Sequence, residues 1–165
     1  MSMVPSNSRI TPFLWFDGNA EEAVNFYISV FKNSKRLDKL DSAVDSSVPK
    51  GKVITVSFEL DGQAFVALNG GPNFKFNEAV SFMIRCENQE EIDYYWSKLT
   101  ANGGSEVQCG WLKDKFGLSW QVVPARIAKL ISTPKGMEAM MKMKKLDIAE
   151  LEKANKSLKS EAAEA

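Results

Sequence analysis

Cys86, Cys109, Glu59, Arg85 and Gln121 are the side chains whose types could do chemistry, yet the partner that most such chemistry needs is missing: the 165 residues include no histidine. A serine or cysteine nucleophile therefore has no imidazole to activate it, and imidazole-based metal sites are excluded. The two cysteines form no Cys-x-x-Cys motif and are too few for a disulfide framework. With no base predicted beside it, Cys109 reads as a passive thiol. Glu59 stands next to a turn and reads as a solvated rim carboxylate. Arg85 could clamp a carboxylate or phosphate with its planar fork, or simply end a strand in water.

Gln121 sits in the stretch around which the chain is organised, residues 114–123. There Gly117 supplies a tight turn, after which Leu118, Trp120 and Val122 alternate with Ser119, Gln121 and Val123. That pattern is a strand with one apolar and one mixed face. Earlier strands are read over 9–17 (Pro12 suiting its start), 34–41, 53–60, 63–68 and 78–86, with Asp61-Gly62 as the two-residue turn of a β-hairpin. Two helices are announced by capping boxes, Asn19 with Glu22 and Asn88 with Glu91. Apolar stripes follow each, Ala20, Ala23, Val24, Tyr27 and Phe31 in the first and Ile92, Tyr95, Trp96 and Leu99 in the second, and Asn102-Gly103-Gly104 ends the second.

Composition bounds the class. With 44% hydrophobic residues the chain suits one globular domain, and 21 basic against 21 acidic residues leave no field to favour nucleic acid or an anionic membrane. No apolar run approaches the ~20 residues that span a bilayer, and the N-terminus lacks a signal core, so a soluble, cytoplasmic protein is expected. Asn69-Gly-Gly-Pro72 tempts one to see a phosphate cradle, but it leads into an extended segment instead of a helix and reads as a crossover.

A shift of 69 residues lays Asn19 on Asn88, Glu22 on Glu91, and Phe13 and Trp15 on Phe82 and Ile84. The hairpin ends correspond as well, Phe65 with Trp120 and Val66 with Gln121. The chain thus repeats a strand-helix-strands module. If Phe13, Trp15, Phe65, Phe82, Ile84 and Trp120 face the helices, the opposite faces carry Leu14, Phe16, Thr55, Ser57, Val66, Leu68, Ser81, Met83, Arg85, Ser119 and Gln121. A mostly apolar lining with a few placed polar groups suits a small ligand, and equally suits a filled core.

Two βαβββ modules in tandem resemble the vicinal oxygen chelate superfamily of glyoxalase I, bleomycin-resistance proteins and extradiol dioxygenases, and more closely its PhnB-like branch. The resemblance rests on Ile10-Thr-Pro-Phe-Leu-Trp-Phe-Asp17, Ala23-Val-Asn-Phe-Tyr27, Leu68-Asn-Gly-Gly-Pro72, Phe76-Asn-Glu78, Cys109-Gly-Trp-Leu-Lys-Asp114, Gly117-Leu-Ser-Trp-Gln121 and Met143-Lys-Lys-Leu-Asp-Ile148. It implies an α+β fold in which two modules form a cupped mixed sheet. It also implies a divalent metal held by four residues, whose equivalents here are Pro12, Val66 (or Ala67 if the turn slips by one), Ser81 and Gln121. Only Gln121 among these could ligate, so neither metal nor other cofactor is expected, and glyoxalase or dioxygenase chemistry of the known kind is not. Some members of the branch carry the name of a demethylubiquinone methyltransferase. The glycine-rich strand-to-helix turn of a Rossmann-like methyltransferase is not legible here.

The expected organisation is a flexible N-terminus (1–8), a vicinal-oxygen-chelate domain (9–124, modules 9–70 and 78–124), a helical extension (125–155) and a frayed tail (156–165). In the extension a helix is read over 124–132, a second segment carries Met137, Met140, Met141 and Met143, and Asp147 with Glu150 starts a last helix. The resemblance further implies a homodimer. The leading expectation is a metal-independent binder of a small molecule, with pocket candidates Leu14, Phe16, Ser57, Val66, Ser81, Met83, Arg85, Ser119 and Gln121. The alternative is a lyase or transferase acting on a small metabolite in the same pocket.

Overall fold

The computed structural model describes residues 9–161, with side chains described as far as Lys156. Two compact units divide the chain after Phe76. The first runs β1 (Phe13–Phe16), α1 (Ala20–Val30), β2 (Ser34–Asp41), β3 (Val53–Leu60) and β4 (Gln63–Asn69). Its sheet has the order β1-β4-β3-β2, with β1 parallel to β4 and the other pairs antiparallel. The second repeats the plan with β5 (Ser81–Cys86), α2 (Gln89–Thr100), β6 (Ser105–Glu106), β7 (Trp111–Lys113) and β8 (Ser119–Pro124), in the order β5-β8-β7-β6. The fold is α+β, two βαβββ modules each with its own mixed sheet.

In the first unit the predicted hairpin closes through Asp61 (φ 46°) and Gly62 (φ 81°), the left-handed pair that a two-residue turn demands. One face of this sheet is covered by α1. The Tyr27 ring stacks on Phe58 with centroids 6.1 Å apart, and Phe58 stacks on its cross-strand partner Phe65 at 5.4 Å. Asn19 does not cap α1 with its side chain. The first helical amide, of Ala20, instead donates to Oδ1 of Asn69 at 2.9 Å, while Nδ2 of Asn69 donates to the carbonyl of Val53 at 3.0 Å. A buried residue at the end of β4 therefore does the capping that the sequence assigned to Asn19.

In the second unit the predicted box is real: Oδ1 of Asn88 accepts from the Glu91 amide at 2.9 Å, and Oε2 of Glu91 accepts from the Glu87 amide at 2.8 Å. Ile92, Trp96 and Leu99 of α2 are buried, as are Leu112, Trp120 and Val122 on the strands beneath. After Thr100 a short 3-10 turn, Ala101–Gly103, closes the helix, with Asn102 (φ 56°) and Gly103 (φ 110°) left-handed. The turn before β8 is held by the buried carboxylate of Asp114, which accepts from the amides of Phe116 (2.9 Å) and Leu118 (3.1 Å) and from Nε1 of Trp120 (2.9 Å).

Beyond β8 the helices are α3 (Ile127–Leu130), α4 (Pro134–Lys142) and α5 (Ile148–Glu161). The first is shorter than the expected 124–132 because Pro124 still pairs with Cys86 in the sheet, and the Ala125 amide donates to the Cys86 carbonyl at 2.8 Å. Asp147 caps α5 as expected, its Oδ1 accepting from the Glu150 amide at 3.0 Å. That helix continues through 156–161, where fraying was expected. The remaining calls on 1–8 and 162–165 lie outside the described residues. Among the described residues no helix is long and apolar enough to cross a membrane.

Candidate functional site

Strand register fixes which side chains share a face. In the second sheet β5 and β8 pair in parallel, Ser81 beside Ser119, Met83 beside Gln121 and Arg85 beside Val123. Antiparallel β7 adds Lys113 beside Ser119 and Trp111 beside Gln121. Because side chains alternate, all of these lie on the face turned away from α2, while Phe82, Ile84, Trp120 and Val122 lie beneath the helix. The predicted candidates Ser81, Met83, Arg85, Ser119 and Gln121 are thus brought onto one surface. Trp111 and Lys113 join them there, on a strand the sequence reading did not place in the lining.

The polar groups of this surface are organised. Nε2 of Gln121 donates to Oγ of Ser81 at 2.8 Å, which fixes the amide and leaves its carbonyl oxygen and second N–H for another partner. The Ser119 hydroxyl is fully buried and has no hydrogen-bond partner, an arrangement that costs ~1–3 kcal/mol of desolvation. Met83 is 49% exposed. Arg85 is exposed and makes no ion pair among the described residues, whereas Arg36 and Arg126 pair with Glu21 and Glu152. Lys113 is tied to Glu78, and the hydrogen bond from the ammonium holds the Glu78 carboxyl below its usual range.

The first sheet corrects the sequence reading of β1. Phe13 pairs with Val66, Leu14 with Ala67 and Phe16 with Asn69. Ala67 shares a face with Phe65, which lies under α1. Leu14 and Phe16, expected in the lining, are therefore on the helix-covered face and are only 4% and 3% exposed. Phe13 and Trp15 take the other face with Ser57, Val66, Thr55 and Leu68, and Nε1 of Trp15 donates to the Gly71 carbonyl at 2.8 Å. The cause is one extra residue between β1 and α1. Gly18, at φ 80°, absorbs it, so the strand repeat is displaced by one relative to the helix repeat. A one-residue slip turns every side chain of a strand over. The Asp17-Gly18 pair was the available signal for that loop.

The same parity moves one presumed metal position. Counting back from Phe13, Thr11 and not Pro12 belongs to the face of Val66; Pro12 instead offers its carbonyl to the Val66 amide at 3.0 Å. The four carried-over positions then hold two hydroxyls, one amide and a valine side chain. Hard divalent ions need several carboxylate, carbonyl or imidazole donors, and this set does not fit one. Among the described residues there is no group of three or more His, Cys, Asp and Glu side chains able to hold a metal ion. The buried thiol of Cys86 does not supply a nucleophile in their place. Burial foremost, with the carboxylates of Glu91 and Glu87 adding to it, pushes Cys86 up to about 12. Glu59 is paired with Lys35 at 3.4 Å.

Two cavities lie elsewhere. In the first unit a space of about 380 Å³ at the start of α1 is lined by residues including Asp17, Glu21, Val48, Lys52 and Asn69. In the second, a cleft of about 420 Å³ separates α4 from α5. Both depend on loop and helix packing that carries no periodic signature.

Comparison with known proteins places this arrangement. The family model described as 3-demethylubiquinone-9 3-methyltransferase matches residues 8–123. A Bacillus cereus structure described as a putative 3-demethylubiquinone-9 3-methyltransferase, PhnB protein, is 36% identical, with 70% of this chain and 99% of that one covered and a TM-score of 0.63. Protein PA1353 from Pseudomonas aeruginosa is 22% identical over 72% of this chain and 98% of its own, with a TM-score of 0.57, a likeness of fold alone. No curated protein matches the chain.

Proposed function

The chain belongs to the 3-demethylubiquinone-9 3-methyltransferase family, within the PhnB-like branch of the glyoxalase-like vicinal oxygen chelate superfamily, and on that premise we propose that it is a metal-independent binder of a small, partly apolar molecule. The observation that carries this reading is the surface built by β5, β7 and β8. It keeps an apolar ground of Met83 and Trp111 with an oriented amide and a guanidinium that has no ion pair among the described residues, while the superfamily's metal donors are replaced. Such a surface selects by shape and hydrogen bonds, without a Lewis acid.

The family's name speaks of methyl transfer. Nucleotide-derived methyl donors are held in doubly wound sheets by a glycine-rich turn from strand to helix. Among the described residues the strand-to-helix turns read Asp17-Gly18-Asn19, Glu87-Asn88 and Ala125-Arg126, and the sheets are not doubly wound. We therefore carry the name no further than family membership.

Native mass spectrometry of gently purified protein tests the binder. The expected result is a homodimer carrying a small organic adduct at sub-stoichiometric or full occupancy and no divalent ion. A stoichiometric divalent metal would return the metalloenzyme reading to the front. The enzyme alternative draws on the free carbonyl and N–H of Gln121, which could polarise a substrate carbonyl beside Arg85. Turnover of any co-purified metabolite, unchanged in the Gln121→Ala/Arg85→Ala double variant, would remove that alternative.

A further inference from the structure

Helices α4 and α5 follow the segment matched by the family model, and the strand surface gives them no task. They run antiparallel and touch at Gly136, where a Cβ would meet the Leu130 carbonyl at 2.5 Å and Oδ1 of Asn155 at 3.3 Å. Beyond that contact the two helices border a cleft. This cleft, about 420 Å³, is lined by Ala139, Lys142, Met143, Glu150, Lys153 and Ala154. Its floor is two alanine methyls and a thioether, and its rim carries two lysines against one glutamate.

We propose that this cleft binds a small anionic amphiphile, an alkyl chain lying over Ala139, Met143 and Ala154 with its anionic head between Lys142 and Lys153. Three features select that occupant. The volume is in the range of small-molecule sites, roughly 300–1,000 Å³, and is too slight for an entering helix, which is about 10–12 Å across. Methionine adapts to a flexible chain better than a branched residue would. Lysine stems add apolar wall while their ammonium groups reach outward, so a head group is met at the rim and not at the floor. The balance of two cations to one carboxylate excludes a cationic head.

The test titrates the full chain with decanoate, decanol and decyltrimethylammonium below their micelle concentrations, following the methionine methyl resonances, with Met143 assigned from a Met143→Leu variant. Decanoate should shift Met143 saturably, and the cation should not. Lengthening the acid by one methylene should tighten binding by up to about fourfold, the equivalent of ~0.8 kcal/mol. The Lys142→Met/Lys153→Met variant, which keeps the apolar stems and removes both charges, should weaken decanoate by about three- to tenfold, the range of two exposed ion pairs, and leave decanol unchanged. Ala139→Phe/Ala154→Phe places rings in the cleft from two half-exposed positions, and should abolish binding with an unaltered circular dichroism spectrum.

Decanoate bound equally by the ring-filled variant would overturn the proposal. So would loss of binding in Arg85→Leu, which would move the ligand to the strand surface. Concentration-dependent self-association that perturbs Met143, together with indifference to decanoate, would assign the cleft to a second copy of the chain and also overturn it. Because the strand surface plays no part, the binder reading and this one fail separately.

Discussion

A thiol held at about 12 by burial beside Glu91 and Glu87 gives residue Cys86 a measurable signature. The folded chain keeps this proton up to its raised value, while the unfolded chain, near the ordinary 9.0, gives it up earlier. Between those two values the unfolded state binds fewer protons, so stability falls as pH rises through the window and is unaffected by this group below it. Urea midpoints of wild type should therefore drop as pH rises above 9.0 towards about 12, and Cys86→Ala should flatten that drop. Ser119 makes a complementary case. Its orphaned hydroxyl costs free energy in the empty protein, so Ser119→Ala should raise stability by about 1 kcal/mol in urea.

At the scale of elements, the two helix starts were read identically and are built differently. Asn88 caps α2 from within its own box, but α1 takes its cap from Asn69, remote in sequence. Asn69→Ala should cost about 1–2 kcal/mol and Asn88→Ala about 1, whereas Asn19→Ala should cost a few tenths at most, all by urea denaturation. Local signals made most of the fold legible: alternation in β3, β4 and β8, the Asp61-Gly62 turn, and the stripes of α1 and α2. What stayed hidden was non-local. The face of β1 depended on whether Gly18 was counted with the loop, and an exact repeat was assumed where one residue had been added. Trp111 and Lys113 escaped because β7 spans only Trp111–Lys113, too short for alternation to register. The cleft between α4 and α5 needs Ala139 and Ala154 to meet across two helices, which no spacing within either helix reveals.

For the whole molecule, two compact units, each with its own sheet, follow from a sequence whose caps, turns and stripes occur twice. The repeat is not exact in side-chain chemistry either. The second unit carries the oriented amide and guanidinium, and the first answers them with Val66 and Trp15 at the matching register positions. The parallel pairing of first and last strand in each unit has a consequence for how the chain is made. β1 leaves the ribosome before the other strands of its unit, yet its ladder partner among the described residues is β4, the last strand of the unit to be synthesised. The exposed Phe13 and the partly exposed Trp15 must wait, unpaired, through the synthesis of a helix and a hairpin. Contacts of that separation slow folding and leave apolar surface open to chaperones meanwhile.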